Sequence, residues 1–252
     1  MRPRALVTGA AKRVGAAIVI ELARAGFDVA IHYRSQDEAV EHTADVCRRH
    51  GAEVLLIQAD LATVEGCRQV VSQTTARWDA LHLLVNNASV FPSAEFAEIS
   101  LDAYQKVQDI NLRAPFLLSQ GLLPALQAAD GTWLGSPPEQ HGVVVHMVDI
   151  GAERPVSRHA HYSVSKAGIA MLVKAMAVEL APAVRTCGVS PGQVAWPDHY
   201  DEATRKRLTR RIPMQRVGTP DEVAKLVRFL ATEAHYLNGV IVPIDGGLHQ
   251  RY

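Results

Sequence analysis

The chain has 252 residues, 48% of them apolar and 21% charged, a globular composition that excludes a disordered chain. Lysine and arginine number 26 and the acidic side chains 26, so neither a phosphate backbone nor an anionic membrane meets a net field, and a general binder of either is excluded. Cys47, Cys67 and Cys187 are odd in number and far apart, which argues against a disulfide scaffold or a thiolate zinc site and fits a reducing compartment.

The first half alternates short apolar runs with longer amphipathic stretches. Ala5 to Val7 is a strand ending at Gly9, and Val14, Ala17, Ile18, Leu22 and Ala25 follow at helical spacing until Gly26 stops them. Val29 to Ile31 is a second strand, followed by a polar helix through about Arg49 with Gly51 as its stop. Val54 to Ile57 is a third strand, Val64 to Arg77 a helix, and Leu81 to Val85 a fourth strand. The second half predicts one long helix over Leu101 to Ala129, an exposed loop from Gly131 to His141, and a strand over Gly142 to Val148. A helix from Tyr162 to Leu180, a strand over Thr186 to Ser190 and a break at Pro191-Gly192 follow. Gln193 to Pro220 reads as a substrate-covering loop with a charged helix, then a helix over Asp221 to Ala231 and a last strand over Val240 to Ile244.

The apolar runs are nearly continuous, so both faces of each strand are covered. That rhythm predicts a single α/β domain spanning residues 1–252, a Rossmann-type doubly wound parallel sheet of about seven strands flanked by helices. No apolar run reaches a membrane-spanning length, and the run after Met1-Arg2-Pro3-Arg4 is too short for a signal peptide. The expectation is a soluble cytoplasmic protein with no membrane or nucleic-acid partner.

Three places carry chemistry. The first strand runs into Gly9, Lys12, Arg13, Val14 and Gly15 as a helix begins. Glycine there lets backbone N–H groups approach a pyrophosphate at the helix N-terminus. The second strand ends His32-Tyr33-Arg34-Ser35, without the carboxylate that would hold a ribose 2′-hydroxyl. Arg34 offers a fork and Ser35 a donor suited to a 2′-phosphate, which predicts NADPH over NADH. Tyr162 and Lys166 stand four apart on one helical face. There the ammonium is expected to lower the phenol's pKa toward an acid–base range. The eleven histidines show no ligand spacing, so no metal site is expected.

These pieces occur together with Asp60-Leu61, Asn86-Asn87-Ala88, Asn111, Pro191-Gly192 and Ile244-Asp245-Gly246-Gly247, and in that order the chain resembles the short-chain dehydrogenase/reductase family. The resemblance implies a nicotinamide cofactor and hydride transfer. It makes Tyr162 the proton donor and has Lys166 bind the nicotinamide ribose. Asn111 would hold a relay water, Asp60 and Leu61 meet the adenine, Asn87 and Ala88 lie against the cofactor, and Pro191 and Gly192 border it. It also implies a homotetramer.

One position departs from the family. The serine expected 13 residues before the tyrosine is Asp149, and an ionised aspartate accepts hydrogen bonds but donates none. It opposes charge growing on a reduced ketone and suits a substrate presenting N–H groups, as a pterin does. Within the family the chain is most similar to the pteridine reductases, on Thr8 to Arg13, on His32 to Ser35, on Asn86 to Phe91 and on Met147-Val148-Asp149. That likeness implies a pterin site of Arg13, Ser89, Phe91, Asp149 and Tyr162, with Trp196 as a further wall. The expected activity is NADPH-dependent reduction of a dihydrobiopterin- or dihydrofolate-like pterin. The alternatives are a 3-ketoacyl-thioester reductase of the same family and a non-catalytic dinucleotide-binding regulator.

Blander readings stand beside these. Phe91 alone reads as a loop residue packing on the core, and Asp149 as the cap of the following turn. The run Arg205-Lys206-Arg207 with Arg210-Arg211 reads as a solvated helix face, or as a landing site for an acyl carrier protein or the glutamate tail of a folate. Cys187 reads as a buried small hydrophobe.

Overall fold

The computed structural model describes residues 2–36, 38–196 and 201–251. The strands β1 (Arg4–Val7), β2 (Asp28–Tyr33), β3 (Val54–Gln58), β4 (Leu83–Asn86), β5 (Gly142–Met147), β6 (Val184–Pro191) and β7 (Ile241–Ile244) form one parallel sheet. Their order is β3-β2-β1-β4-β5-β6-β7. The chain winds outward from β1 in one direction and from β4 in the other. The crevice above the carboxyl ends of these two strands is where a ligand belongs in such a sheet.

The continuous apolar runs have a direct cause. Along β1, β4 and β5, Ala5, Val7, Leu83, Val85, Val143 and Val145 face a layer built by α1 (Arg13–Arg24), α2 (Glu38–Arg49) and α8 (Pro220–Thr232). The alternate residues Leu6, Leu84 and Val144 face the opposite layer, built by α3 (Val64–Arg77), α5 (Ala114–Gln127) and α6 (Ala160–Glu179). The central strands β1, β4 and β5 are therefore buried on both sides. Truncating Leu84 to alanine would cost about 3 kcal/mol, since its side chain has no exposed surface. Arg185 is buried in β6, yet its guanidinium donates to the carbonyls of Leu230, Ala234 and Leu237 at 3.0–3.1 Å. A cation there closes the carbonyl end of α8.

The helix expected over 101–129 runs without a break over 101–127, with one widened stretch inside it. The chain forms α4 (Leu101–Gln108), one π-helical stretch (Asp109–Arg113), then α5. A single widened turn leaves the apolar spacing almost unchanged, so periodicity does not reveal it. It does place Asn111 in the interior, where its amide closes on the loop after β4. The predicted loop after α5 contains a short 3-10 turn at Gly131–Leu134. The last charged helix of the sequence reading is α7 (Glu202–Thr209), and its first turn is capped by Asp201.

Candidate active site

The glycine turn is tight at the level of backbone atoms. Gly9 has φ +62°, and a Cβ there would stand 3.0 Å from the Ala88 Cα. At Gly15 a Cβ would stand 2.3 Å from the Gly9 carbonyl oxygen, so only glycine is admitted. Arg13 also takes a left-handed backbone, φ +56°, which is strained for a side chain of that size.

Two residues hold the turn from below. The Gly9 N–H donates to His32 Nδ1 at 3.1 Å, and His32 Nε2 donates to the Ala59 carbonyl at 3.1 Å. Burial pulls the His32 pKa down to about 4, so the ring stays neutral and keeps the tautomer both bonds require. Asn87 Nδ2 donates to the carbonyls of Thr8 at 2.8 Å and Gly9 at 3.1 Å. The Thr8 hydroxyl in turn accepts from the Asn87 and Ala88 N–H groups, both at 2.9 Å. The turn is thus shaped before any ligand arrives, with a floor no side chain fills. A dinucleotide pyrophosphate fits such a cradle.

The acid–base group lies in the turn after β5 and on α6. The Tyr162 hydroxyl donates to Asp149 Oδ2 at 2.9 Å, and Asp149 Oδ1 accepts the Gly151 N–H at 2.6 Å. Asp149 therefore caps the short turn after β5 and also holds the phenol. Lys166 is buried, and its ammonium donates to the Met147 carbonyl at 2.8 Å. The expectation that Lys166 lowers the Tyr162 pKa is reversed in this arrangement. Burial, and then the Asp149 carboxylate, push the phenol well above its ordinary range. Lys166 sits 5.6 Å from the ring centroid, with its ammonium held by the Met147 carbonyl. Burial pulls its pKa down to about 8, against the opposing pull of Asp149. Burial also raises Asp149. At neutral pH Tyr162 holds its proton and faces an acceptor.

Behind this group His146 is fully buried, and its Nδ1 accepts from Asn86 Nδ2 at 3.4 Å. Burial, helped by the Lys166 charge, lowers its pKa to about 3. The Asn111 amide is engaged throughout. It accepts the Val90 N–H at 2.9 Å and donates to the Val90 carbonyl at 3.0 Å and to Ser165 Oγ at 3.1 Å. Asn111 fixes the strand-to-loop passage that leads to Phe91.

A cleft of about 1250 Å³ runs across the carboxyl ends of the strands. Of the expected cofactor residues, Gly9, Lys12, Arg13, Val14, Gly15, His32, Arg34, Asp60, Leu61, Asn87, Ala88 and Gly192 line it. So do Ser89, Phe91, Asp149 and Tyr162 among the expected substrate residues. Tyr33, Ser35, Pro191, Lys166 and Asn111 do not line it. Tyr33 points into the protein and is buried, because residue 34 rather than 33 follows the last paired position of β2. Trp196 is not in the wall either; its carbonyl accepts from Arg13 at 3.0 Å, which ties the glycine turn to the loop after β6. Residues 197–200 of the 193–220 loop lie outside the described residues.

Phe91 is 46% exposed. One face stacks on His159, centroids 3.9 Å apart and planes at 12°, while its edge meets the Tyr162 ring at 4.5 Å. Sequence reasoning missed His159, and it missed Arg154, His249 and Arg251, which line the cleft together with Arg211. The only signal for Arg154 was its place just after Asp149, and nothing marked the chain end as part of a wall. Among the described residues no group of histidine, cysteine or acidic side chains could hold a metal. The three cysteines are buried thiols, and no described helix is long and apolar enough to cross a membrane.

A parallel sheet with a glycine turn at its switch point, and a Tyr/Lys pair beside it, defines a nicotinamide-dinucleotide oxidoreductase. Residues 9–249 match the family model described as Enoyl-(Acyl carrier protein) reductase. The chain is 29% identical over 247 residues to a 3-oxoacyl-[acyl-carrier-protein] reductase of Synechocystis sp., covering 97% of this chain and 96% of that one. It is 31% identical to an uncharacterized oxidoreductase of Thermotoga maritima, covering 96% and 95%. A solved short-chain dehydrogenase/reductase from Serratia marcescens superposes with a TM-score of 0.88, at 32% identity and over 98% of both chains. The chain belongs to the short-chain dehydrogenase/reductase family.

Proposed function

We propose that the protein reduces a pterin with NADPH. The hydrogen bond from Tyr162 to Asp149 at 2.9 Å carries this reading. A ketone reductase needs donors around the oxygen that gains charge. Here the side chain beside the phenol is a carboxylate, which accepts from N–H groups and repels a growing alkoxide. A pterin ring offers N–H groups to Asp149 and a flat surface to Phe91, whose other face is covered by His159. Tyr162, held protonated by burial and by Asp149, is the proton source. Asp149 orients the phenol through that hydrogen bond.

The bound nicotinamide would supply the hydride. Gly9, Gly15, Asn87 and Gly192 are suited to hold it close to backbone, Asp60 and Leu61 to meet the adenine, and Arg34 to pair with a 2′-phosphate. The NADPH assignment fails if NADH supports turnover equally well. The three buried thiols agree with a cytoplasmic setting. A shallow apolar groove between α5 and α6, exposing Phe116 at 48% and Met171 at 62%, suits a second copy covering it, one of the contacts the expected homotetramer needs. Sedimentation would test that assembly.

Reduction of a 3-oxoacyl thioester is the second reading, favoured by the name of the Synechocystis relative. Following NADPH consumption with 7,8-dihydrobiopterin and, in parallel, an acetoacetyl thioester separates the two. Turnover of the pterin, with a loss of about 100-fold in Asp149→Ser, supports the first reading. Turnover of the thioester alone, or unchanged pterin kinetics in Asp149→Ser, overturns it.

A further inference from the structure

After β7 the chain passes through two left-handed glycines in succession, Gly246 at φ +63° and Gly247 at φ +86°. The reversal carries His249 back over Asp245, where three donors converge on one carboxylate. Asp245 Oδ1 accepts the Gly247 N–H at 2.9 Å, and Oδ2 accepts the His249 N–H at 2.6 Å and His249 Nδ1 at 2.7 Å. The Asp245 side chain is nearly buried, while His249 lines the cleft. Burial works against the charge on Asp245, but the donors of His249 and Gly247 prevail and hold its carboxyl below the usual range. The pair is braced from the cofactor side as well. A Cβ on Gly192 would stand 2.6 Å from the Asp245 Cβ, so the chain after β6 packs directly on it.

The turn needs Asp245 but not an imidazole. Its backbone bonds would form with any residue at 249, and the ring adds a third donor to a carboxylate already paired twice. What the ring gains is a fixed orientation and a fixed tautomer. Nδ1 is the donor, so Nε2 presents a lone pair, and the Gln250 amide donates to it at 2.6 Å. Gln250 is exposed, so another donor can take its place at little cost. Leu208, Ile212 and Leu248 also line the cleft, and their side chains offer no hydrogen bond. The carboxylate of the substrate half, Asp149, is already committed to Tyr162 and Gly151.

We propose that His249 is a specificity-determining residue, whose Nε2, oriented by Asp245, accepts a hydrogen bond from an O–H or N–H group on the outer part of the substrate. Two sources present this chemistry: a hydroxylated side chain on a ring substrate, and the amide N–H of a pantetheine-like thioester arm. The proposal stands beside the pterin reading and does not rest on it. A site built to receive a donor discriminates against an analogue that lacks one, because the acceptor is then left unpaired.

The test compares kcat and KM, with NADPH, for two matched pairs. One is 7,8-dihydrobiopterin against 6-methyl-7,8-dihydropterin, which lacks the hydroxyls. The other is the N-acetylcysteamine thioester of acetoacetate against its S-pentyl thioester, which lacks the amide. In the pair that is turned over, the donor-bearing member is expected to have a KM about tenfold lower. Its advantage names the source. In His249→Leu the two KM values should converge, with kcat changed by less than about twofold. His249→Gln, whose Oε1 can accept in place of Nε2, should restore part of the advantage, an outcome that a merely structural role does not give. NADPH affinity should stay within about twofold in both variants. Equal KM values in the intact protein, an advantage that survives His249→Leu, or a loss of NADPH affinity with the advantage intact overturns the proposal.

If neither pair is turned over, the pterin and thioester readings both fail and Nε2 is read directly. The nitrogen resonance of His249 Nε2, identified by its loss in His249→Leu, is followed in the NADPH-loaded protein during titration with 7,8-dihydrobiopterin and with the N-acetylcysteamine thioester. A saturable shift with either one, absent with its donor-free mate, sustains the proposal. No shift, or the same shift with both members of a pair, overturns it.

Discussion

The two halves of the cleft are built differently. In the cofactor half nearly every polar group is spoken for by protein. His32 pins Gly9 to Ala59, Asn87 ties down the carbonyls of Thr8 and Gly9, and the glycines touch backbone. In the substrate half Phe91 is partly open, Arg211 is exposed, and the walls come from the turn after β5, the segment after α7 and the chain end. The first half is a shape fixed by main chain, which suits a ligand common to many proteins. The second is a set of side chains on connections, which can vary while the sheet stays as it is.

Variants should separate the halves, and the largest effect belongs at their junction. Tyr162→Phe removes the proton source and leaves Asp149 Oδ2 unpaired. Turnover should fall about 1000-fold, about 4 kcal/mol, with NADPH affinity nearly unchanged in a binding titration. Acid should act next, through the buried histidines. Burial holds His32 at about 4, His82 at about 4 and His146 at about 3, below the ordinary 6.5. Lowered in the fold, these groups contribute stability that is full above pH 6.5 and lost as the pH falls toward 4. At pH 5 unfolding takes up almost three extra protons, a slope of about 4 kcal/mol per pH unit. Urea denaturation at pH 7 and pH 5 measures it, and a flat profile would mean these rings are not neutral in the fold.

Within the cofactor half, Gly15→Ala should cost about 3 kcal/mol in urea denaturation and abolish NADPH binding, because its Cβ meets backbone and cannot be accommodated by a side-chain rotation. Arg34→Gln should leave the fold intact and lower the preference for NADPH over NADH by about 30-fold, about 2 kcal/mol, in kcat/KM. The smallest change belongs to the substrate half. Phe91→Leu should raise the pterin KM about fivefold, about 1 kcal/mol, with the melting temperature and NADPH affinity unchanged. A loss of NADPH affinity there would show that the halves are coupled.

The sheet was readable because its cause is local. Strands buried on both faces must be apolar throughout, and glycines must stand where the chain turns under a phosphate. Asp149 was readable for a different reason: a carboxylate where the resemblance implies a serine is a difference of chemistry, visible in one letter. The π-helical stretch at 109–113 was not readable, because one widened turn leaves apolar spacing almost intact. The state of Tyr162 was not readable either. Four-residue spacing puts Lys166 on the same helical face, but only the packed structure sets the ammonium on the Met147 carbonyl and turns the phenol to Asp149.

By itself the sequence determined the order of strands and helices, the glycine turn, the Tyr162/Lys166 pair and the family. Each of these rests on residues within a turn or two of one another, or on the repeated burial of both strand faces. The tertiary structure alone decided which side chains share the cleft. It brought His159 against Phe91, set His32 beneath Gly9, and gathered Arg154, Arg211 and Arg251 at one mouth. Those contacts join segments far apart in the chain, and no local spacing encodes a distance that is closed only when the sheet and its two helical layers pack.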